Sequence, residues 1–562
     1  MSSNEGFDYI WQPSFGPPKK IFPEFGHKIE RVENNVIFER DHAIMLRDGV
    51  KLYADIFRPE TDGPIPAIMT YAPYGKENPS RYEAYYKKGG VKDEWLSKYA
   101  IYEAPDPLWW ALRGFAIVNV DSRGMWRSEG EATFMNHAEG YDGYDTIEHI
   151  AALPWCNGKV GMAGVSYLAI CQWQIAATRP PHLAAFNLWE GVSDCYREMM
   201  LHGGIPESHF VPRWNANRLN AGLNRAEDLW AMVKAHPLWD AYWESKRAVL
   251  SDITAPAYIV ASWSDHGLHT RGTLQGFREI SSEQKWLEIH GRKKWEYFMQ
   301  PSSVARQMLF FDHFLRGADN AVTKWPKVWM EVRDKYYVGK FRAEKNWPIA
   351  RTKHAKLFLD GKSRKLRPSL AKTRAKIAYE APQRSTRVPE AYRENRAEFS
   401  YRFAKPTELT GYMKLKLWVE AEGNDDMDLF VALQKFDKAD KHAGFPCYNA
   451  MEDGPVAQGW LRVSHRELDP ERSTPEQPWL LHRRLQKLRP KEIVPVEIEI
   501  WPSSTKFAAG ENLRLVVQGS DVYAYPGVGY SHPETLNQGR HVIHTGGKYD
   551  SHLLIAVVPP GK

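Results

Sequence analysis

Hydrophobic positions along the 562-residue chain fall into two textures that change near residue 350. In the first, short apolar runs alternate with longer stretches of helical length. The runs at 50–57, 67–71, 116–120, 160–163, 184–188, 257–261 and 286–289 have the length of strands, and 140–152 and 167–177 that of helices. Apolar strands separated by helices predict a mostly parallel sheet covered on both faces. From about residue 353 helical patterns nearly vanish, and strands are predicted at 355–359, 413–419, 428–433, 496–500, 513–517 and 553–558. Several alternate in polarity, as in KLKLWVEA and VEIEIW, which a sheet with one buried face requires. An all-β sandwich of jelly-roll type is the architecture this predicts. A Trp-rich, mostly helical stretch lies between Trp189 and Asp252 and separates two sheet strands.

Composition narrows the picture further. A net charge of +6 from 75 basic and 69 acidic residues leaves no footprint of nucleic-acid binding. The densest basic stretch, KSRKLRPSLAKTR from Lys362 to Arg374, has no aromatic interleaving or helical phase and reads as a solvated loop rather than an anion-binding patch. Cys156, Cys171, Cys195 and Cys447 lack CxxC spacing, so reduced thiols in a cytoplasmic protein are expected and a zinc site is not. The opening MSSNEGFDYIWQPSFGPPKK has no basic-then-apolar signal segment. No uncharged apolar run reaches the roughly 18 residues that a membrane span needs.

The stretch WCNGKVGMAGVSYLAICQWQIAA, Trp155 to Ala177, carries the candidate chemistry. A strand enters Gly164-Val165-Ser166 and leaves as an apolar helix, the context of a nucleophile elbow. Gly164 and Ala169 are the small neighbours such a turn needs, whereas Leu168 departs from G-x-S-x-G. The Tyr167 N–H would then lie at a helix N-terminus, able to meet developing negative charge. A serine that merely caps the helix is the alternative reading of the same residues.

This region resembles the cocaine esterase, α-amino acid ester hydrolase and X-prolyl dipeptidyl-peptidase family of serine hydrolases, whose pattern is G-x-S-Y-x-G; Ala169 stands at the last glycine. The likeness extends along the chain. Asp48-Gly49-Val50-Lys51-Leu52 through Asp55 to Pro59 is similar to the family's opening hairpin. Arg113-Gly114-Phe115 with Asp121-Ser122-Arg123-Gly124 and Ser128-Glu129-Gly130 resembles its RGY…DxRGxxxSEG segment. Tyr144 to Glu148 resembles its YDxIEW helix, with His149 for tryptophan, and Phe310 to Gly317 its FFDxxLKG segment. Leu417-Trp418-Val419 with 425–433 is similar to the strand pair opening its C-terminal jelly roll.

The resemblance implies an α/β-hydrolase fold with a helical cap insertion, followed by the jelly roll. The expected boundaries are an N-terminal extension over 1–43, a catalytic domain over 44–190 and 252–345, a cap over 191–251, and a β-sandwich over 346–562. It implies Asp265, after the strand AYIVAS, as the triad acid, although a turn aspartate is the plain reading of the residue alone. The family's histidine belongs to a GPWxH segment after the next strand. That segment is replaced here by His290-Gly291-Arg292-Lys293-Lys294-Trp295, so His290, at the strand's end, is the expected general base. His266 and His269 lie too close to Asp265 in sequence for the usual arrangement, and His313, in a predicted helix, reads as structural. Tyr74, in Ala72-Pro73-Tyr74-Gly75, matches the family's PY segment and would supply an oxyanion-hole hydroxyl beside the Tyr167 N–H.

The implied substrate is a small ester or amide, with no metal or organic cofactor, no nucleic acid and no membrane; the family often forms homo-oligomers. The α-amino acid ester hydrolases grip a substrate ammonium through acids after the catalytic aspartate, and His266-Gly267-Leu268 lacks them. Glu190 and Asp194 are then the partial substitutes, with Trp189 and the cap tryptophans suited either to an apolar acyl group or to ordinary packing. A carboxylic ester hydrolase comes first, a dipeptide-releasing peptidase second. A non-catalytic binder built on the jelly roll is the remote third reading.

Overall fold

The computed structural model describes residues 6–16, 25–77, 83–219, 221–381, 395–448, 451–523 and 529–559. The first five residues and 17–20 of the segment read for a signal lie outside them. The first sheet is built on β1 (Ile37–Met45), β2 (Lys51–Arg58), β3 (Ile65–Ala72), β4 (Ala116–Asp121), β5 (Cys156–Val165), β6 (Leu183–Trp189), β7 (Ala257–Ser262) and β8 (Lys285–His290). Their spatial order is 1-2-4-3-5-6-7-8, with β1, β2 and β4 antiparallel and every later pairing parallel. This is the α/β-hydrolase sheet.

Alternate residues of the central strands explain why both faces are covered. Ala67 and Met69 of β3 and Met162 of β5 enter one apolar cluster, where Ile147, Ile150, Ile170 and Ile175 of helices α1 (His137–Ala151) and α2 (Tyr167–Ala177) meet them. Ile68, Ile117, Val165 and Val260 point the other way, onto Phe310, Phe311 and Leu315 of α4 (Pro301–Arg316). Burying a side chain of this size is worth roughly 1.5–3 kcal/mol, so neither face can be left open. A further helix, α3 (Thr270–Glu279), follows β7.

Beyond β8 the sheet continues through β9 (Val328–Lys335), parallel to β8, and β10 (Val338–Glu344), antiparallel to β9. The second half is a β-sandwich. In one sheet the strand Thr407–Glu422 pairs with Val494–Phe507, His552–Val558 and Arg540–Thr545. In the other, Asn512–Gln518 lies between Ala397–Arg402 and Asp428–Phe436. Leu415, Leu417, Val496 and Leu553 of the first meet Phe399, Leu429, Val431 and Leu515 of the second in one core.

Two features differ from the expected outline. Residues ahead of 44 are not a separate extension throughout: β1 begins at Ile37, and Trp11–Pro13 pairs with Arg225–Glu227. The stretch 191–251 is less regular than a helical cap, combining three helices (Phe210–Leu219, Leu229–Ala235 and Ala241–Ser245) with a π-turn and short strand pairs. Among the described residues no helix is long and apolar enough to cross a membrane.

Arg333 of β9 fastens the two halves together. Fully buried, it donates to the Ser503 hydroxyl (2.7 Å) and to the carbonyls of Val456 (3.0 Å) and Ser504 (3.2 Å). Arg333→Leu would remove these donors, leaving the Val456 carbonyl with the Ser503 hydroxyl as its side-chain donor. An expected loss of about 2–4 kcal/mol follows, read as a lower urea midpoint; an unchanged midpoint would remove Arg333 from this role.

Candidate active site

Ser166 links β5 to α2 in a conformation that a side chain rarely adopts, with φ 61° and ψ −117°. Such strain persists only where its surroundings over-determine it. Here the Ser166 N–H donates to the Trp189 carbonyl at 3.0 Å, and the Ser166 carbonyl accepts from Ala169 and Ile170, both at 2.9 Å. The turn is tight because a Cβ at Gly164 (φ 145°) would come within 2.5 Å of the Leu168 Cβ. Leu168, where G-x-S-x-G has glycine, thus packs against the glycine on the other side of the serine. The Ser166 hydroxyl emerges half-buried above the carboxyl ends of the strands.

His269 Nε2 lies 3.2 Å from Ser166 Oγ, and His269 Nδ1 lies 2.5 Å from Asp265 Oδ2. The two partners sit only four residues apart because the chain after β7 folds back on itself. The Asp265 carbonyl accepts from Leu268 (3.3 Å), His269 (3.2 Å) and Thr270 (3.4 Å), and Gly267 takes φ 93° to close the turn. His269 is the residue before α3, and Thr270 Oγ1 anchors the helix start to the Ser262 carbonyl at 2.8 Å.

His290 is not brought to Ser166, and the expectation that it serves as the base is corrected by this geometry. Its ring is buried, stacked on Tyr297 at 4.0 Å between centroids, and accepts at Nδ1 from the Arg292 N–H at 3.2 Å. Its Nε2 faces Glu190 Oε1 at 3.3 Å. The segment after β8, Gly291-Arg292-Lys293-Lys294-Trp295, has no histidine to match the family's GPWxH. Lys294 Nζ does lie beside Asp265 Oδ2, at 3.5 Å, and 3.9 Å from Glu103. The imidazole comes instead from the turn after Asp265. His266 turns toward the β-sandwich and accepts from the Gln458 N–H at 3.2 Å, while His313 Nδ1 meets the Ala318 carbonyl at 3.0 Å.

The electrostatics of the buried cluster follow from its contents. Burial pushes Asp265 up, but the Lys294 ammonium and the His269 hydrogen bond outweigh it and hold the carboxyl well below the usual range. Burial, then Lys294, depress His269 to about 4, against the opposing pull of Asp265. His269 is therefore neutral near pH 7, free to accept a proton at Nε2 while Nδ1–H faces Asp265. Glu190 is pushed well above the carboxylate range, chiefly by burial and then by Asp265. It is held as a neutral acid next to the ionised Asp265. Glu103, behind the elbow, accepts from Trp295 Nε1 at 3.0 Å and is raised by burial to about 7.

Tyr74 lies in the loop after β3. Its hydroxyl accepts from Trp214 Nε1 at 3.3 Å, and its ring stands edge-on to Tyr167 at 5.9 Å. Trp214 also stacks on Tyr167, 5.6 Å between centroids. The loop is fixed from below by Lys76, whose N–H donates to Asp121 (2.8 Å) and whose Nζ meets Asp41 (2.7 Å) and Asp55 (2.8 Å). The Tyr167 N–H, first of α2, has no partner inside the helix by construction.

The expected substrate-binding residues are engaged elsewhere. Trp189 is core: its Nε1 donates to Asn187 at 2.8 Å and its ring packs edge-on to Phe298. Asp194 is buried against Arg197 at 2.8 Å, and Glu190 is fully buried, its carboxylate within 4.8 Å of the Asp265 and His269 ligand atoms. Among the described residues three side-chain groups have metal-ligand spacing. In two of them, Glu190–Asp265–His269 and Asp41–Asp55–Glu77, a lysine ammonium already lies against the carboxylates.

A strained serine on a strand-to-helix turn, a histidine on its hydroxyl and a carboxylate on that histidine define the serine-hydrolase class within the α/β-hydrolase fold. Residues 48–301 match the X-Pro dipeptidyl-peptidase (S15) family, and 320–554 match the X-Pro dipeptidyl-peptidase C-terminal non-catalytic domain. A CocE/NonD family hydrolase from Staphylococcus aureus superposes with a TM-score of 0.90 at 40% identity, covering 95% of this chain and 96% of that one. The chain belongs to this CocE/NonD family of hydrolases. The cocaine esterase of Rhodococcus sp. (strain MB1 Bresler) is 27% identical over 59% of this chain and 63% of its own length. The chain thus aligns with somewhat under two thirds of that curated relative. An α-amino acid ester hydrolase shares the fold, with a TM-score of 0.70 at 16% identity over 97% of this chain and 99% of that one.

Proposed function

We propose that the chain hydrolyses a small carboxylic ester or amide through an acyl-enzyme on Ser166, with His269 as general base and Asp265 as its orienting acid. The alignment of Ser166 Oγ, His269 and Asp265 is the observation that carries this reading. His269 Nε2 takes the hydroxyl proton as Ser166 Oγ attacks the substrate carbonyl, and returns it to the leaving group as the tetrahedral intermediate collapses. Water, deprotonated by the same nitrogen, then attacks the acyl-enzyme and releases the acid. The Tyr74 hydroxyl and the Tyr167 N–H hold the oxyanion. The ionised Asp265 stabilises the imidazolium that forms transiently on His269.

A substrate without a free α-amino group is favoured. Asp194 is held by Arg197 and Glu190 is buried as a neutral acid, so neither offers a carboxylate to an ammonium. That argues against dipeptide release and against amino-acid esters. The four cysteines are free and buried, which supports a reducing, cytoplasmic setting. A homo-oligomer remains the assembly the family likeness suggests. A purely binding role leaves the strained Ser166 without a purpose.

Hydrolysis of a panel of aryl esters, anilides and X-Pro anilides tests the substrate class. Activity on N-blocked or amine-free esters is expected to exceed that on X-Pro substrates, and the reverse order would overturn the choice. Tyr74→Phe should lower kcat on the order of a hundredfold with little change in KM; an unaltered kcat would remove Tyr74 from the oxyanion hole. The pH profile is a separate check. A base whose protonation sits near 4 is competent above that pH and lost below it, so the acid limb of kcat/KM should fall below the ordinary histidine value. Lys294→Met removes the cation that disfavours the imidazolium and should move that limb upward; a limb that stays put or moves down would contradict the assignment.

A further inference from the structure

The third group with ligand spacing joins Glu39 and His42 of β1 to His27 and takes no part in the chemistry at Ser166. Residues three apart on a regular strand point to opposite faces. Between Glu39 and His42 the register of β1 against β2 shifts, with Asp41 at φ 50°, and a bulge of this kind turns both side chains the same way. His42 Nδ1 thereby comes to 2.7 Å from Glu39 Oε1. His27, just before the strand Lys28–Arg31 that pairs with β1, brings Nε2 to 2.8 Å from the same oxygen. Two imidazole nitrogens and a carboxylate oxygen, supplied from two neighbouring chain segments, therefore meet within 4.8 Å of one another.

The outer nitrogen of His42 is also held. Its Nε2 lies 2.9 Å from Nε2 of His149 on α1. In the tautomer that donates Nε2–H to His149, His42 Nδ1 turns its lone pair toward Glu39 and His27, the arrangement that orients metal-ligating imidazoles. Access is open on one side, since the His27 side chain is 55% exposed while Glu39 is 9% exposed. Unlike the other two groups, no lysine ammonium among the described residues lies against Glu39: Lys76 is taken up by Asp41, Asp55 and Glu77.

We propose that His27, Glu39 and His42 form a binding site for a divalent transition metal of the zinc class, with water completing the shell. Two imidazoles and one carboxylate suit zinc, whereas magnesium and calcium prefer all-oxygen shells. Bonds of roughly 2.0–2.2 Å in a tetrahedral shell place ligand atoms roughly 3.3 Å apart. Each nitrogen must then withdraw from Glu39 by roughly half an ångström, a shift the exposed His27 accommodates by a rotamer adjustment. The bound ion would clamp the segment carrying His27 to β1, a structural role independent of hydrolysis.

The test is a zinc titration of the chelator-stripped full chain against a competing chromophoric chelator, for wild type, His27→Ala and Glu39→Gln. His27 is exposed, so its replacement leaves the fold intact, checked by equal metal-free Tm values. Wild type is expected to bind a zinc ion that magnesium does not displace and to gain Tm with zinc by mass action. His27→Ala and Glu39→Gln should weaken that site at least tenfold and lose the Tm gain. Wild type binding no zinc, or His27→Ala binding with unchanged stoichiometry and affinity, would overturn the site.

Discussion

Asp265 is a carboxylate taken out of water, and a buried charge survives only when its surroundings answer it. Lys294 supplies the countercharge, His269 a hydrogen bond, and the neutral Glu190 a second polar neighbour. Each of these contacts has a consequence for the next residue. Ionised Asp265 fixes the tautomer of His269; burial, with Lys294 beside it, disfavours the charged imidazole, and burial, with Asp265 in front of it, raises Glu190. His290, facing Glu190 and stacked on Tyr297, forms the back wall of the same cluster.

The nucleophile and the oxyanion donors are held by comparable means. Ser166 keeps a strained backbone because β6, through the Trp189 carbonyl, and the first turn of α2 both bind it. Tyr74 keeps its place because Lys76, two residues on, is locked into Asp41, Asp55 and Asp121 beneath the sheet's edge. The same β1–β2 bulge that positions Asp41 also gathers His27, Glu39 and His42. Strand ends therefore launch the groups of the site, and the turns after β3, β5 and β7 carry Tyr74, Ser166, Asp265 and His269 themselves.

Much of the fold was legible because apolar strand runs and the helix after Ser166 carry strong local signals. The strand expected over 257–261 is observed as Ala257–Ser262, and the helix over 167–177 as Tyr167–Ala177. The position of the histidine was not legible in the same way. A strand end is a sound place to look for it, but the Asp265–His269 pairing depends on a backward turn through Gly267 that leaves no periodic signature. The available clue was that Gly291 to Trp295, where the family has GPWxH, contains no histidine, so that the imidazole must come from elsewhere. Trp189 and Asp194 misled for another reason. Residue type suggests a pocket lining, but whether a tryptophan faces a cavity or a core is decided by tertiary packing, and β6 buries Trp189 completely.

Covalent labelling by a fluorophosphonate, read by intact mass, separates the two histidines directly. Wild type should gain one adduct, Ser166→Ala none, His269→Ala little or none over the same interval, and a folded His290→Ala close to the wild-type extent. Rapid labelling of His269→Ala together with loss of labelling in a folded His290→Ala would contradict the assignment and return the base to the end of β8.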